Sequence, residues 1–144
     1  MREHFIQRLT ALAVRDRNII LITGDLGFRV LDEFREYCPD QFINVGVAEQ
    51  NMIGIATGMA LEGNIVFVYS IANFGTLRCL EQIRNDLCYH RANVNIVSVG
   101  GGFGYGALGM SHHATEDLAI MRSIPELRVL APGDCWEAAE IAEV

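Results

Sequence analysis

The chain has 144 residues, of which 51% are hydrophobic and 20% are charged, and its net charge is −7. This length and apolar content predict one folded domain with its own core rather than a disordered segment. The acidic balance argues against nucleic acid or an anionic membrane surface as the main partner, because both attract basic proteins.

The two ends and the cysteines favour a cytoplasmic protein. Residues 1–5 lack the apolar core of a secretion signal, and no apolar run is long enough to span a bilayer. No Cys-x-x-Cys pair occurs, so we expect small buried thiols in a reducing cytoplasm rather than disulfides or a zinc site. The cysteines are Cys38, Cys79, Cys88 and Cys135. Residues 134–144 read as a helix without a terminal cap, so we expect the chain to be part of a longer protein.

Short apolar runs alternate with helical patterns along the chain. Helical spacing of apolar residues predicts helices at 5–13, 30–38, 48–61, 75–90 and 115–123, with a last helix starting at 132–134. Continuous apolar runs predict strands buried on both faces at 18–23, 42–45, 65–69, 94–99 and 127–130. This alternation predicts a single α/β domain over residues 1–144: a three-layer, mostly parallel sheet with helices on both faces.

Four loops are expected at one edge of this sheet. In parallel sheets, ligands bind in the crevice outside the carboxyl ends of the strands. The loops that follow the first four predicted strands would open there, at 24–27, 46–49, 70–74 and 100–113.

Glu49 is the first candidate for chemistry, because it is a lone acid in the first turn of the helix that follows strand 42–45. Acids are also favoured in a first helical turn by the backbone dipole, so its position alone fits either a functional or an ordinary surface carboxylate. Its neighbours Val47, Met52 and Ile53 are apolar, and they favour a partly buried carboxylate with raised proton affinity.

The glycine-rich loop contains Gly104-x-Gly106-x-x-Gly109, which has the spacing of a dinucleotide-binding fingerprint. A true fingerprint turns directly from a strand into a helix, but here the next helix is predicted only after His113. A flexible loop, whose glycines let the backbone lie close to a ligand or partner, is the favoured interpretation.

Residues 111–117 carry His112 and Glu116 four positions apart, and His113 and Asp117 likewise. No third clustered ligand is evident, so we predict no metal site and favour a histidine that donates a hydrogen bond or carries a proton. Ser111 has no acid–base partner at a spacing typical of a catalytic triad.

Phe74 and Arg78 lie one turn apart at a predicted helix start. Core packing is the default for Phe74, and stacking on a planar ring is the alternative.

Three segments together resemble the pyrimidine-binding domain of transketolase-family thiamine diphosphate enzymes. They are Phe-Ile-Asn-Val-Gly-Val-Ala-Glu-Gln-Asn-Met at 42–52, Ala-Asn-Phe-x3-Arg-x2-Glu-Gln-Ile-Arg-x-Asp at 72–86, and Gly-Met-Ser-His-His-Ala-Thr-Glu-Asp at 109–117. Asp-Leu-Gly at 25–27 adds to the match. The resemblance covers nearly the whole chain and is strongest to the separate C-terminal half of split transketolases, with deoxyxylulose-phosphate synthases next. It implies the thiamine diphosphate-binding fold of the pyrimidine type.

The resemblance also implies roles for individual residues. Glu49 matches the glutamate that hydrogen-bonds N1′ of the aminopyrimidine and favours its imino tautomer, whose nitrogen removes the proton from thiazolium C2. Phe74 matches an aromatic residue that lines the pyrimidine pocket, and His112 a histidine near the reacting carbons of the substrate. Four further side chains would form the pocket wall: Leu26, Val47, Ile71 and Leu77.

One motif of the family is missing from this chain. These enzymes anchor the diphosphate and Mg²⁺ with a Gly-Asp-Gly motif, and no Gly-Asp-Gly occurs here. We therefore expect a diphosphate-binding domain or subunit to hold Mg²⁺ and complete the site, in an assembly based on a homodimer. The chain alone is expected to have little or no activity and to bind the cofactor weakly.

The substrates are less defined. The resemblance implies transfer of a two-carbon ketol unit between sugars or sugar phosphates. Leu108 stands where some transketolases carry an acid, and 100–102 are glycines where these carry a phosphate-binding histidine. Alternatives are a synthase like that of deoxyxylulose phosphate, an enzyme like the 2-oxoacid dehydrogenases, a non-catalytic assembly domain of the same fold, or a dinucleotide-binding domain.

Overall fold

The sheet has four parallel strands in a computed structural model that describes residues 1–143. The spatial order is β2-β1-β3-β4. The strands are β1 (Ile19–Thr23), β2 (Phe42–Asn44), β3 (Ile65–Ile71) and β4 (Val94–Val99). In register, Thr23 of β1 pairs with Asn44 of β2 and with Tyr69 of β3. The first four predicted strands and the parallel arrangement are thus confirmed.

Helices cover both faces of this sheet, as predicted. They are α1 (Arg2–Ala13), α2 (Asp32–Tyr37), α3 (Glu49–Leu61), α4 (Ala72–Gly75), α5 (Leu80–Gln82), α6 (Asp117–Met121) and α7 (Cys135–Glu140). A π-helical turn, Ile83–Cys88, continues α5, and short 3₁₀ turns lie at Pro39–Gln41, Leu77–Cys79, Gly106–Leu108, Met110–His112 and Ile141–Glu143.

Two apolar cores follow from the alternation of side chains along the strands. Ile20 and Ile22 of β1 face one core, which also contains side chains of α3, of the segment 79–88 and of α6. Ile19 and Leu21 face the other, which is built with α1, α2 and the C-terminal turn. All five residues of β1 are buried, as a central parallel strand requires.

The helix predicted at 75–90 is instead a segment of several short helical pieces that starts at Ala72. Between α4 and the 3₁₀ turn, Thr76 (φ −114°, ψ −78°) departs from regular helical dihedral angles. Its backbone N–H and its hydroxyl both donate to the carbonyl oxygen of Ala72. Apolar spacing revealed the buried face but not these breaks.

The prediction of a strand at 127–130 is wrong, because these residues form no hydrogen-bonded pairing with the sheet. Leu127 and Val129 pack against the core that contains α3, while Leu130 is 47% exposed. The apolar character of the run reflects this packing rather than strand pairing. The helix predicted at 115–123 is also shorter, at Asp117–Met121.

The thiols were predicted to be buried, and three are: Cys38, Cys79 and Cys88. The prediction is wrong for Cys135, which is exposed on the first turn of α7. All four thiols are free. Within residues 1–143, no helix combines the length and apolar character needed to cross a membrane.

Candidate active site

Glu49 is the first residue of α3 and lies at the carboxyl edge of the sheet, directly after the loop that follows β2. Its side chain is only 3% exposed. The sequence suggested a partly buried carboxylate, and the structure buries it almost completely. An ionised group in such a position requires a partner, because burial without one is costly.

Arg78 is that partner. Its Nη1 donates to Oε2 of Glu49 at 2.9 Å, and its own side chain stays 46% exposed. The amide of Gln50 donates to the backbone oxygen of Arg78 at 3.1 Å, which ties the start of α3 to the broken helical segment. Within residues 1–143, Oε2 is the oxygen that accepts the bond from Arg78, which leaves Oε1 for a ligand.

Phe74 extends this contact chain. The guanidinium carbon of Arg78 lies 4.3 Å from the centroid of the Phe74 ring, a cation–π contact. The Phe74 ring also contacts the ring of His112, at 5.0 Å between centroids and an interplanar angle of 61°. Glu49, Arg78, Phe74 and His112 thus form one connected group at the ligand edge.

His112 is held by the loop between β4 and α6. Its Nδ1 lies 3.0 Å from the hydroxyl of Ser111, and the amide of Asn73 donates to the Ser111 carbonyl at 2.6 Å. The base of the loop is closed by backbone bonds between Gly102 and Ala114. The loop is therefore folded on itself and fixed to the α4 segment.

The four predicted wall residues lie at or near this edge with different exposure. Leu26, Ile71 and Leu77 are half-buried, whereas Val47 is 73% exposed. A cavity of about 370 Å³ lies at the other end of the strands, beside Ile19 and Ile65, away from Glu49. The group around Glu49 lies outside this cavity.

The pairing of Arg78 with Glu49 was not predicted from the sequence. The one-turn spacing of Phe74 and Arg78 was visible, but it suggested core packing for Phe74, with stacking on a planar ring as the alternative. The pair forms because the broken segment after β3 and the start of α3 meet at the sheet edge. Cys79, next to Arg78, is fully buried, and this burial, reinforced by the charge of Glu49 and opposed by that of Arg78, raises its pKa to about 12.

The fold and the site define a class: a parallel α/β domain that presents a buried acid and an aromatic ring at its ligand edge. The chain belongs to the transketolase pyrimidine-binding domain family, since the model of "Transketolase, pyrimidine binding domain" matches residues 1–144. The expected fold and family are therefore confirmed.

Relatives agree with this family. The chain is 38% identical over 144 residues to a subunit of the apulose-4-phosphate transketolase of Phocaeicola vulgatus, covering 99% of the chain and 46% of that protein. It is 38% identical over 133 residues to a 1-deoxy-D-xylulose-5-phosphate synthase of a Synechococcus strain, covering 90% and 20%. A solved split-gene transketolase, described as an inactive beta4 tetramer, superposes with a TM-score of 0.87 at 35% identity, covering 99% and 45%. The chain thus spans less than half the length of these relatives.

Proposed function

We propose that this chain is the pyrimidine-binding half of a thiamine diphosphate-dependent, transketolase-type enzyme that transfers a two-carbon ketol unit between sugars or sugar phosphates. The observation that carries the proposal is the buried carboxylate of Glu49 at the ligand edge, beside Arg78 and Phe74. The likeness to a subunit of an apulose-4-phosphate transketolase supports it.

The residues around Glu49 fit an aminopyrimidine. A buried carboxylate with one oxygen available suits a ring nitrogen, and the half-buried ring of Phe74 suits the face of a heterocycle. Glu49 would hold a proton shared with N1′, while Phe74 would line the ring together with Leu26, Val47, Ile71 and Leu77. When bound, thiamine diphosphate supplies the carbanion chemistry that breaks and forms carbon–carbon bonds. His112 would lie near the reacting carbons of the substrate and could bind or protonate a substrate oxygen.

A second domain or subunit would hold the diphosphate and Mg²⁺, because this sequence contains no Gly-Asp-Gly motif. Large apolar side chains in the loops of the ligand edge support a partner there, since such groups are usually covered. They are Phe28, Val47, Phe103, Leu108 and Met110. The solved split-gene transketolase is described as an inactive beta4 tetramer. This description agrees with a binding site that is incomplete in the pyrimidine-binding half. We propose a homodimer of the assembled unit, in the cytoplasm.

Replacement of the carboxylate tests this function. In the complete enzyme, meaning this chain with the domain or subunit that carries the diphosphate site, Glu49→Gln keeps the side-chain size but cannot exchange a proton with N1′. We expect ketol transfer to fall by at least about 100-fold, the contribution typical of a positioned acid–base group. Steady-state turnover with saturating cofactor measures the effect.

Glu62→Gln is the matched control, because Glu62 is exposed at the far end of α3 and loses the same charge. This variant should keep full turnover. Wild-type turnover in a folded Glu49→Gln enzyme would contradict the proposal. A complete assembly without any ketol-transfer activity in the wild type would instead favour a non-catalytic assembly domain.

A further inference from the structure

Asn44 joins the two loops on either side of Glu49. It is the last residue of β2, and its Oδ1 accepts hydrogen bonds from the backbone N–H groups of Asp25, at 2.9 Å, and Gly46, at 3.0 Å. Its Nδ2 donates to Oδ1 of Asp25 at 3.2 Å. One side chain thereby connects the loop after β1 to the loop after β2.

Both loops contain a residue with a left-handed backbone conformation. Asp25 has φ +59° and Gly46 has φ +74°. A non-glycine residue such as Asp25 adopts this conformation at a cost, and it persists when surrounding bonds fix it. The bonds from Asn44 hold the backbone and the side chain of Asp25 at this turn.

The two loops touch each other beside Glu49. A Cβ atom added at Gly24 would lie 3.1 Å from the carbonyl oxygen of Gly46 and 3.8 Å from Cγ of Glu49. The stem of the Glu49 carboxylate thus lies close to both loops, whose positions define its surroundings. Glu49 also starts α3, so its backbone follows directly from the loop that Asn44 holds.

We propose that Asn44 is a positioning residue that fixes the loops after β1 and β2 and thereby places the carboxylate of Glu49 for the aminopyrimidine. It acts through these loops and does not itself touch the cofactor. This inference rests on the proposed function of Glu49.

The test compares Asn44→Ala and Asn44→Ser in the complete enzyme. Alanine removes all three hydrogen bonds, whereas a serine hydroxyl can still accept from the N–H of residue 46. We expect Asn44→Ala to lower kcat at saturating thiamine diphosphate by about tenfold or more, since small misplacements of a catalytic group are costly. Asn44→Ser should fall between Asn44→Ala and the wild type.

Because Asn44 is exposed, the loss of its hydrogen bonds should lower the thermal midpoint of either variant only slightly. Asn93→Ala is the matched control, an exposed asparagine that precedes β4 at the opposite edge of the sheet, and it should change neither kcat nor stability. A purely structural role would change the midpoint and leave kcat per folded enzyme intact.

The Glu49→Gln enzyme separates the two proposals. If Glu49→Gln loses turnover and Asn44→Ala keeps wild-type kcat, the positioning role is refuted and the proposed function stands. If Glu49→Gln keeps turnover, the function of Glu49 is refuted, and the role of Asn44 with it.

Discussion

Cys79 lies close to the two opposite charges of the site, those of Glu49 and Arg78. Its Sγ is 3.2 Å from the backbone oxygen of Phe74, and the residue is fully buried. Burial is the main cause of its raised pKa of about 12, the charge of Glu49 adds to it, and Arg78 opposes it. The thiol therefore stays protonated at neutral pH and is unsuited to nucleophilic chemistry.

This shift predicts a pH dependence of stability. The unfolded thiol loses its proton near pH 9.0 and the folded one near 12, so between these values the unfolded state binds fewer protons. The free energy of unfolding should therefore fall as pH rises through this window, with at most about 1.4 kcal/mol per pH unit from this group. Urea unfolding between pH 8 and 11 should show a steeper fall for the wild type than for Cys79→Ala.

Cys135→Ala serves as the control, because that thiol is exposed. Its pH slope should equal that of the wild type. Equal slopes for the wild type and Cys79→Ala would show that burial of Cys79 has no such effect.

At the level of single residues, sequence patterns predicted which groups reach the ligand edge but not how they pair. Glu49, Phe74 and His112 were identified, and contacts connect all three in the structure. Arg78 follows a break between helical pieces near Thr76, which apolar spacing does not record. Asn44 was also missed, because its role consists of bonds to backbone groups of another loop.

Among the elements, α3 is unusual because no charged residue lies between Gln50 and Leu61. A surface helix normally carries charge on its outer face. Here that face includes the exposed Gly54 and Gly58, and a Cβ at either would have nothing within 4 Å. The outer face of α3 is therefore uncharged and formed partly by small residues.

The isolated chain should gain stability from Gly58→Ala. Alanine adds no clash, and glycine within a helix is less favourable than alanine by about 0.5–1 kcal/mol. Urea unfolding of the chain alone should show an increase of that size in the free energy of unfolding.

Gly63→Ala is the contrasting variant, because Gly63 has φ +97°, where a Cβ is strained. It should destabilise the chain. A clear loss of stability in Gly58→Ala would mean that its surroundings are tighter than the structure indicates.

For whole elements, prediction succeeded where burial and periodicity agree. Strands β1, β2 and β4 lie within the predicted apolar runs, β3 extends two residues beyond its run, and α3 follows its predicted range closely. The run at 127–130 is equally apolar, yet it packs against the core without pairing. Burial can be read from one segment of sequence, whereas a strand also needs a neighbour along its edge.

Under the proposed function, the chain supplies only the pyrimidine side of the binding site. We therefore predict weak binding of thiamine diphosphate and Mg²⁺ to the isolated chain. Titration calorimetry should give a dissociation constant well above the micromolar range. A pyrimidine contact without the diphosphate anchor lacks most of the positioning that a complete site provides. The complete enzyme is the positive control, and micromolar or tighter binding by the chain alone would contradict the prediction.

Cys135 provides a site for selective chemical labelling. It is exposed on α7, which packs against α1 on the face of the sheet opposite to α3, whereas the thiols of residues 38, 79 and 88 are buried. A maleimide dye would thus attach selectively there, on the side of the sheet opposite to α3. Fluorescence anisotropy of the labelled chain could then follow its docking to other subunits in real time.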